Sequence, residues 1–147
     1  MKKIYLGSDH AGFVLKEKIK KNLSKKGFLI FDSTPELIEG DDYSDYAFRV
    51  GERVSKDKTS LGVLICGSGT GMIIAANKVK GIRASMIYDK YSAKMARYDN
   101  DSNIACLRGR KFSFAKNIKI LDIWLKTKFS GIKRHRRRIK KIERYEK

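Results

Sequence analysis

Cysteine, histidine and long apolar runs are scarce in this chain, and each scarcity excludes a class of protein. Only Cys66, Cys106, His10 and His135 could act as soft metal ligands, and none has the spacing of a zinc site, so we predict no metal. Two cysteines, behind an N-terminus without the apolar run of a signal peptide, lead us to expect a reducing cytoplasm. No apolar run approaches the ~20 residues that a membrane-spanning helix needs, so we expect no contact with a membrane.

Acidic residues are also few, with 16 Asp and Glu against 34 Lys and Arg and a net charge of +18. Residues 133–147 carry nine Lys or Arg and two Glu, which gives this segment a net charge of +7. Residues 1–132 carry the remaining +11. Three interpretations stay open: a solvated basic tail, a surface for nucleic acid or another acidic partner, or recognition of a small phosphorylated ligand. Three of the acids, Asp41, Asp42 and Asp45, lie close together and could cap a helix start or hold a hard cation.

Apolar runs alternate with helix-spaced patterns along the whole chain. The apolar runs predict five strands, at 4–7, 28–31, 61–66, 82–88 and 103–107. Helical spacing predicts helices at 15–23 and 43–54, one that ends near 79, and others at 90–98 and 114–125. Strands that alternate with helices imply right-handed crossovers and a parallel sheet. The predicted fold is therefore one α/β domain over 1–147, a doubly wound parallel five-stranded sheet flanked by helices.

The segment Cys66–Gly71 combines a thiol, three glycines and two hydroxyl side chains at the end of the third predicted strand. A dinucleotide-binding fingerprint fits its first two glycines and a later acid, Asp89, but Met72 stands where the third glycine belongs. A P-loop is excluded because no Gly-Lys-Ser/Thr follows. Converging amides before a helix could instead form an anion hole and lower the pKa of the Cys66 thiol. The alternative, a buried inert cysteine before a glycine turn, is equally open at this point.

Several polar groups follow directly after predicted strands. Asp9 and His10 follow the first, Cys66–Gly71 the third, and Asp89 the fourth. Sites in doubly wound sheets lie beyond the carboxyl ends of the strands. We therefore predict that the glycine turn, Asp9 and His10 share one cleft.

The last segment, residues 132–147, is predicted to be a basic C-terminal helix. Arg134 and Arg138 stand one helical turn apart, and Ile139, Ile142 and Tyr145 form a thin apolar stripe. Such a stripe cannot support a free helix. The helix is therefore expected to dock, either on its own domain or on a neighbouring subunit.

Six motifs follow one another along nearly the whole chain: Gly7–Phe13, Asp42–Ala47, Cys66–Gly71, Ala75–Lys78, Gly81–Ala84 and Asn100–Asn103. Together they resemble the ribose-5-phosphate isomerase B family, within a wider group that includes galactose-6-phosphate and allose-6-phosphate isomerases. The resemblance implies a Rossmann-like fold, a homodimer or dimer of dimers whose basic C-terminal helix docks on the partner, and no metal or organic cofactor.

The resemblance also implies a reaction, the interconversion of ribose 5-phosphate and ribulose 5-phosphate through a cis-enediolate. Cys66 is the implied base that moves a proton between C1 and C2, and Ser68 stands where the family has a small hydroxyl residue. We predict that Ser68 and Asp99 are catalytic residues as well. The implied substrate-binding residues are Asp9, His10, Gly67, Gly69, Thr70, Gly71, Asn100, Arg110, Arg134 and Arg138. In this family the site is shared, so the Asn100 region and the late arginines are expected from the partner subunit.

The sequence departs from the family pattern at Asp99, where ribose-specific members carry a histidine that is credited with opening the sugar ring. An aspartate at neutral pH accepts a proton but donates one poorly. A six-carbon sugar phosphate is an alternative substrate, because the shared motifs do not fix substrate length. A second alternative, a basic nucleic-acid-binding protein on this scaffold, draws on the charged tail, but Tyr145 is the tail's only aromatic residue for stacking on bases. We expect no specific nucleic-acid binding.

Overall fold

The computed structural model describes residues 1–146 and contains one parallel sheet with the strand order β2-β1-β3-β5-β4. The strands are β1 (Lys3–Ser8), β2 (Leu29–Asp32), β3 (Leu61–Cys66), β4 (Ala84–Met86) and β5 (Ile104–Arg108). The helices are α1 (Phe13–Lys25), α2 (Tyr43–Lys56), α3 (Thr70–Ala76), α4 (Lys90–Tyr98), α5 (Phe114–Lys126) and α6 (Lys133–Tyr145), with a 3-10 turn at His10–Gly12. Within 1–146, no helix combines the length and the apolar character needed to cross a bilayer.

The central strand β3 is buried along its whole length because helices cover both faces of the sheet. Its side chains alternate between two apolar clusters, as the period of a strand requires. Val63 and Ile65 pack with α1, α4 and α5, whereas Leu64 and Cys66 pack with α2 and α3. The predicted five-stranded, doubly wound α/β fold is therefore confirmed, and it directs the Cys66 side chain toward the α2–α3 side.

Two element boundaries differ from the prediction. Helix α3 ends at Ala76 rather than near residue 79, and β4 covers 84–86 rather than 82–88. The Asn77 side chain accepts a hydrogen bond from the Ala84 amide and donates one to its carbonyl, at 2.8 and 3.0 Å. Arg83 is held in the same way, since its amide donates to Asn103 Oδ1 at 2.8 Å. These amide side chains take the place of helix and sheet partners, and both elements therefore stop early.

Helix α6 docks partly on its own domain. His135 and Ile139 are buried, and the Gly81 amide donates to Glu146 Oε2 at 3.0 Å just beyond the helix. The rest of the predicted apolar stripe stays open, with Ile142 51% and Tyr145 88% exposed. One chain therefore buries only Ile139, the first of the three residues of the stripe.

Candidate active site

A cleft of about 300 Å³ opens at the carboxyl ends of β1 and β3, where the sequence predicted a shared site. It brings together eight of the predicted site residues: Asp9, His10, Cys66, Gly67, Ser68, Thr70, Gly71 and Arg110. Gly69 lies in the same turn and bonds Cys66, as described below. The cleft is also lined by Ala11 and Tyr43, which the sequence analysis did not name as site residues.

Cys66 ends β3 with its thiol at the floor of the cleft, and its side chain is almost fully buried. The Gly69 amide donates a hydrogen bond to Sγ at 3.0 Å. This amide is aimed at the sulfur because Gly69 has a φ of +87°, and a Cβ there would collide with Met86. Burial raises the pKa of Cys66 by more than the turn's amide hydrogen bonds lower it. The amides therefore act as predicted, but the expected net lowering of the pKa is wrong.

The glycine turn presents its hydroxyl groups to solvent. Ser68 Oγ and Thr70 Oγ1 lie 2.8 Å apart, and both residues are exposed at the rim of the cleft. Gly71 admits the ring of Tyr43, because a Cβ at this position would lie 2.6 Å from the Tyr43 Cζ. The turn therefore offers hydroxyl groups on one side and an aromatic wall on the other.

Asp9 is a fixed, buried carboxylate beside the thiol. Its Oδ1 accepts a hydrogen bond from the Gly12 amide at 3.0 Å, and its own amide donates to the Ile65 carbonyl at 3.3 Å. Burial raises the pKa of Asp9 despite these amide contacts. Gly12 allows the close approach, because a Cβ on it would meet the Ile65 carbonyl oxygen at 2.5 Å. The side chain thus reaches the cleft in one orientation.

His10 is held by Asp41, a partner that the sequence analysis assigned to a helix cap or a cation. Asp41 Oδ1 accepts hydrogen bonds from the His10 amide and from ring Nδ1, each at 2.9 Å. Asp42, not Asp41, occupies the N-cap position of α2, and its side chain makes no capping hydrogen bond within residues 1–146. Asp41 lies in the β2–α2 loop, 31 positions after His10, and no local pattern in the sequence predicts their contact. Within 1–146, no group of three or more His, Cys, Asp or Glu side chains could hold a metal ion.

Arg110 supplies a cation at the end of the cleft opposite the β2–α2 loop. The segment before it is bonded to the backbone of Cys66, since the Gly109 amide donates to the Cys66 carbonyl at 2.8 Å. The Arg110 amide donates to the Gly67 carbonyl at 3.1 Å, and its guanidinium lies over Gly67, where a Cβ would be 3.3 Å from Nη1. The cleft therefore has a thiol on its floor and basic side chains, His10 and Arg110, on its walls.

Asp99, Asn100, Arg134 and Arg138 are not brought to this cleft within one chain. Helix α4 starts after the carboxyl end of β4 and runs back, so Asp99 at its end lies at the amino edge of the sheet. The five steps along β3 put roughly 16 Å between the two edges. There Asp99 Oδ1 lies 3.6 Å from Nε2 of His135, which fixes the start of α6 near the same edge. Arg134 and Arg138 are both exposed on α6.

A family model described as Ribose/Galactose Isomerase matches residues 4–142 of the chain. The chain belongs to this family. The probable ribose-5-phosphate isomerase B of Mycoplasma genitalium is 44% identical over 146 residues, which cover 98% of this chain and 95% of that protein. The ribose-5-phosphate isomerase B of Escherichia coli is 39% identical over 142 residues, with 97% and 95% covered. The family predicted from the sequence motifs is confirmed.

Solved structures agree with the fold. The crystal structure of the Mycoplasma genitalium ribose-5-phosphate isomerase B with bound ribulose-5-phosphate superposes with a TM-score of 0.94 at 44% identity and covers 98% of this chain and 95% of that one. The type B ribose 5-phosphate isomerase of Trypanosoma brucei gives the same TM-score at 41% identity, with 99% of each chain covered. The Rossmann-like arrangement described above is therefore the fold of this family.

Proposed function

We propose that this protein interconverts ribose 5-phosphate and ribulose 5-phosphate through a cis-enediolate. The observation that carries the proposal is the thiol of Cys66 on the floor of a cleft that also holds a glycine turn, His10 and Arg110. The relatives named ribose-5-phosphate isomerase B, among them one that holds ribulose-5-phosphate, support this substrate.

Cys66 is the proposed base. Its thiolate removes the C2 proton of the open-chain aldose, and electron density moves to the carbonyl oxygen O1. The hydroxyl proton then passes from O2 to O1, and the same thiol returns its proton to C1 of the enediolate, which leaves a carbonyl at C2 and restores the thiolate. The thiolate is the active form, and burial raises the pKa of Cys66, so only a minority of the enzyme carries it at neutral pH. Activity is therefore expected to rise toward alkaline pH.

The glycine turn is the proposed binding site for the enediolate oxygens. Gly67, Ser68, Thr70 and Gly71 line the cleft beside Cys66, and we propose that their amides donate to these oxygens. Donors aimed at a developing oxyanion stabilise the transition state more than the ground state. Ser68 and Thr70 add hydroxyl donors at the rim. Asp9, fixed by the Gly12 amide, is the proposed partner of the sugar hydroxyl groups.

The phosphate is proposed to lie between His10 and Arg110 of one subunit and two arginines of the other. Arg134 and Arg138 stand one helical turn apart on α6, can converge on one anion, and form no ion pair with another residue of 1–146. Since these arginines lie far from their own cleft, we propose a homodimer, or a dimer of dimers, with shared sites. The exposed Ile142 and Tyr145 are apolar surface that a partner could cover.

Asp99 and Asn100 are proposed to enter the site from the partner subunit. Asp99 would accept the proton of the anomeric hydroxyl or orient this group when the sugar ring opens. Because the mechanism requires a reduced thiol, we propose a reducing compartment, the cytoplasm, as its location.

The test measures turnover of ribose 5-phosphate, allose 6-phosphate and galactose 6-phosphate side by side in coupled assays. We expect ribose 5-phosphate to be preferred and Cys66→Ala to abolish isomerisation while sugar-phosphate binding persists. The matched control is Cys106→Ala, which removes the other buried thiol from β5 and should retain activity. For the wild type at saturating substrate, kcat should rise about tenfold per pH unit while the pH is below the pKa of the Cys66 thiol. Near-normal turnover by a folded Cys66→Ala protein would refute the assignment.

A further inference from the structure

The contact between Asp41 and His10 joins the segment after β1 to the loop between β2 and α2. Asp41 lies in the loop between β2 and α2, and its side chain is nearly buried, with 6% exposed. Its Oδ1 receives both the His10 amide and ring Nδ1, each at 2.9 Å, so the backbone and the ring of His10 are fixed by one oxygen atom. The His10 ring itself lines the cleft.

This geometry determines which ring nitrogen carries a proton. A carboxylate oxygen only accepts, so Nδ1 must be the donor in its contact with Asp41. Nε2 is then the ring nitrogen left for a ligand, and it has no hydrogen-bond partner among residues 1–146. In a neutral ring Nε2 presents a lone pair, which repels a phosphate oxygen. In the cation it presents an N–H, which binds one.

We propose that Asp41 is a positioning residue for substrate binding: it orients the His10 ring and favours its cationic form, whose Nε2–H binds the phosphate of the sugar. This inference rests on the proposed function, because the proposed substrate supplies the phosphate group that His10 would bind. Asp41 acts only through His10 and does not itself touch the substrate.

The charges around His10 agree with this role. The hydrogen bond to Asp41 raises the pKa of His10 most, and the carboxylates of Asp9 and Glu39 raise it further, while burial opposes them. Arg110 is the basic side chain in the same cleft, and Tyr43 and Cys66 are its other titratable groups. Because the folded pKa is raised, the His10 cation persists to higher pH than in a free imidazole, and phosphate binding weakens as the pH rises through that pKa.

The direct test is NMR titration of the histidine rings without any ligand. The chain has only two histidines, so His10→Asn assigns the spectrum and His135 serves as an internal reference. In Asp41→Asn the amide oxygen still accepts from Nδ1–H, so the neutral tautomer should stay the same while the titration midpoint of His10 moves to lower pH. The matched control is Asp45→Asn, which removes one negative charge from the first turn of α2. It should leave the midpoint of His10 nearly unchanged.

The kinetic test compares the same variants near neutral pH. Asp41→Asn should raise KM for ribose 5-phosphate about fivefold with kcat nearly unchanged, because a charge-assisted hydrogen bond becomes a neutral one. In a His10→Gln background, Asp41→Asn should add no further loss. An unmoved His10 midpoint, or equal effects of Asp41→Asn and Asp45→Asn, would overturn the proposal. If the wild type fails to isomerise ribose 5-phosphate, the proposed function fails, while the NMR titration still tests the Asp41–His10 pair.

Discussion

Replacing Thr34 by valine should destabilise the protein and disturb its cleft, although Thr34 lies outside the cleft. Thr34 Oγ1 accepts a hydrogen bond from the Ser8 amide and donates one to the Ser8 carbonyl, both at 3.0 Å. Thr34 is 2% exposed and Ser8 is fully buried, so water cannot replace the lost partner. The buried Lys16 ammonium holds this loop from the other side, through the Thr34 carbonyl and Asp32 Oδ2.

The magnitude follows from the two backbone groups that Thr34→Val leaves unpaired. Each buried unpaired group costs about 1–3 kcal/mol, and the apolar gain of valine offsets part of this, so we expect a loss of about 2–4 kcal/mol. For a chain of this length such a loss lowers Tm by about 5–12 °C. Thr34→Ser keeps the hydroxyl and loses one methyl group, which costs about 1 kcal/mol. Urea unfolding of the wild type and both variants measures these differences.

The same substitution should reduce activity, because Ser8 directly precedes the site residues Asp9 and His10. Movement of this segment displaces two proposed substrate contacts at once, and we expect kcat/KM to fall about tenfold in Thr34→Val while Thr34→Ser stays close to the wild type. If the two variants lose equal stability and equal activity, the hydroxyl group has no such role and the reasoning is refuted.

Two further predictions concern residues proposed to act across a subunit interface. Replacing Arg134 or Arg138 by glutamine should raise KM for ribose 5-phosphate about tenfold in steady-state assays, whereas Arg137→Gln, on the same helix but off the shared face, should not. If all three substitutions raised KM equally, the net charge of the helix, and not a specific phosphate contact, would explain the effect. Asp99→Asn should slow turnover of cyclic ribose 5-phosphate and leave the affinity for an acyclic hydroxamate inhibitor unchanged. Turnover at the wild-type rate would remove Asp99 from the mechanism.

The order of elements could be predicted from the sequence because buried strands carry continuous apolar runs. Every residue of β3 is buried, and the run Leu61–Cys66 marks it without ambiguity. The ends of α3 and β4 could not be predicted in the same way. They depend on the side chains of Asn77 and Asn103, whose partners are backbone groups 7 and 20 residues away.

The cleft could be predicted in part, because Asp9, His10 and the glycine turn all follow strand ends that a parallel sheet places at one edge. The roles of Tyr43 and Asp41 were missed because the path of the β2–α2 loop, which brings Tyr43 to the cleft and Asp41 to His10, depends on tertiary contacts. The separation of Asp99 from the Cys66 of the same chain could be predicted, because it depends on the direction of α4. The alternation of strands and helices establishes that direction.

The pKa of Cys66 shows why electrostatics is the hardest property to obtain from a sequence. The motif specifies the amide donors, and these do favour the thiolate, as the Gly69 contact shows. It does not specify how far α2 and α3 close over the sulfur, and this burial disfavours the charged form by more. At His10 the charged form is favoured instead, because the ring is only half-buried and the hydrogen bond to Asp41 raises its pKa by more than burial lowers it. The cleft therefore disfavours the charged form of its proposed base, Cys66, and favours the charged form of His10, the residue proposed to bind the phosphate.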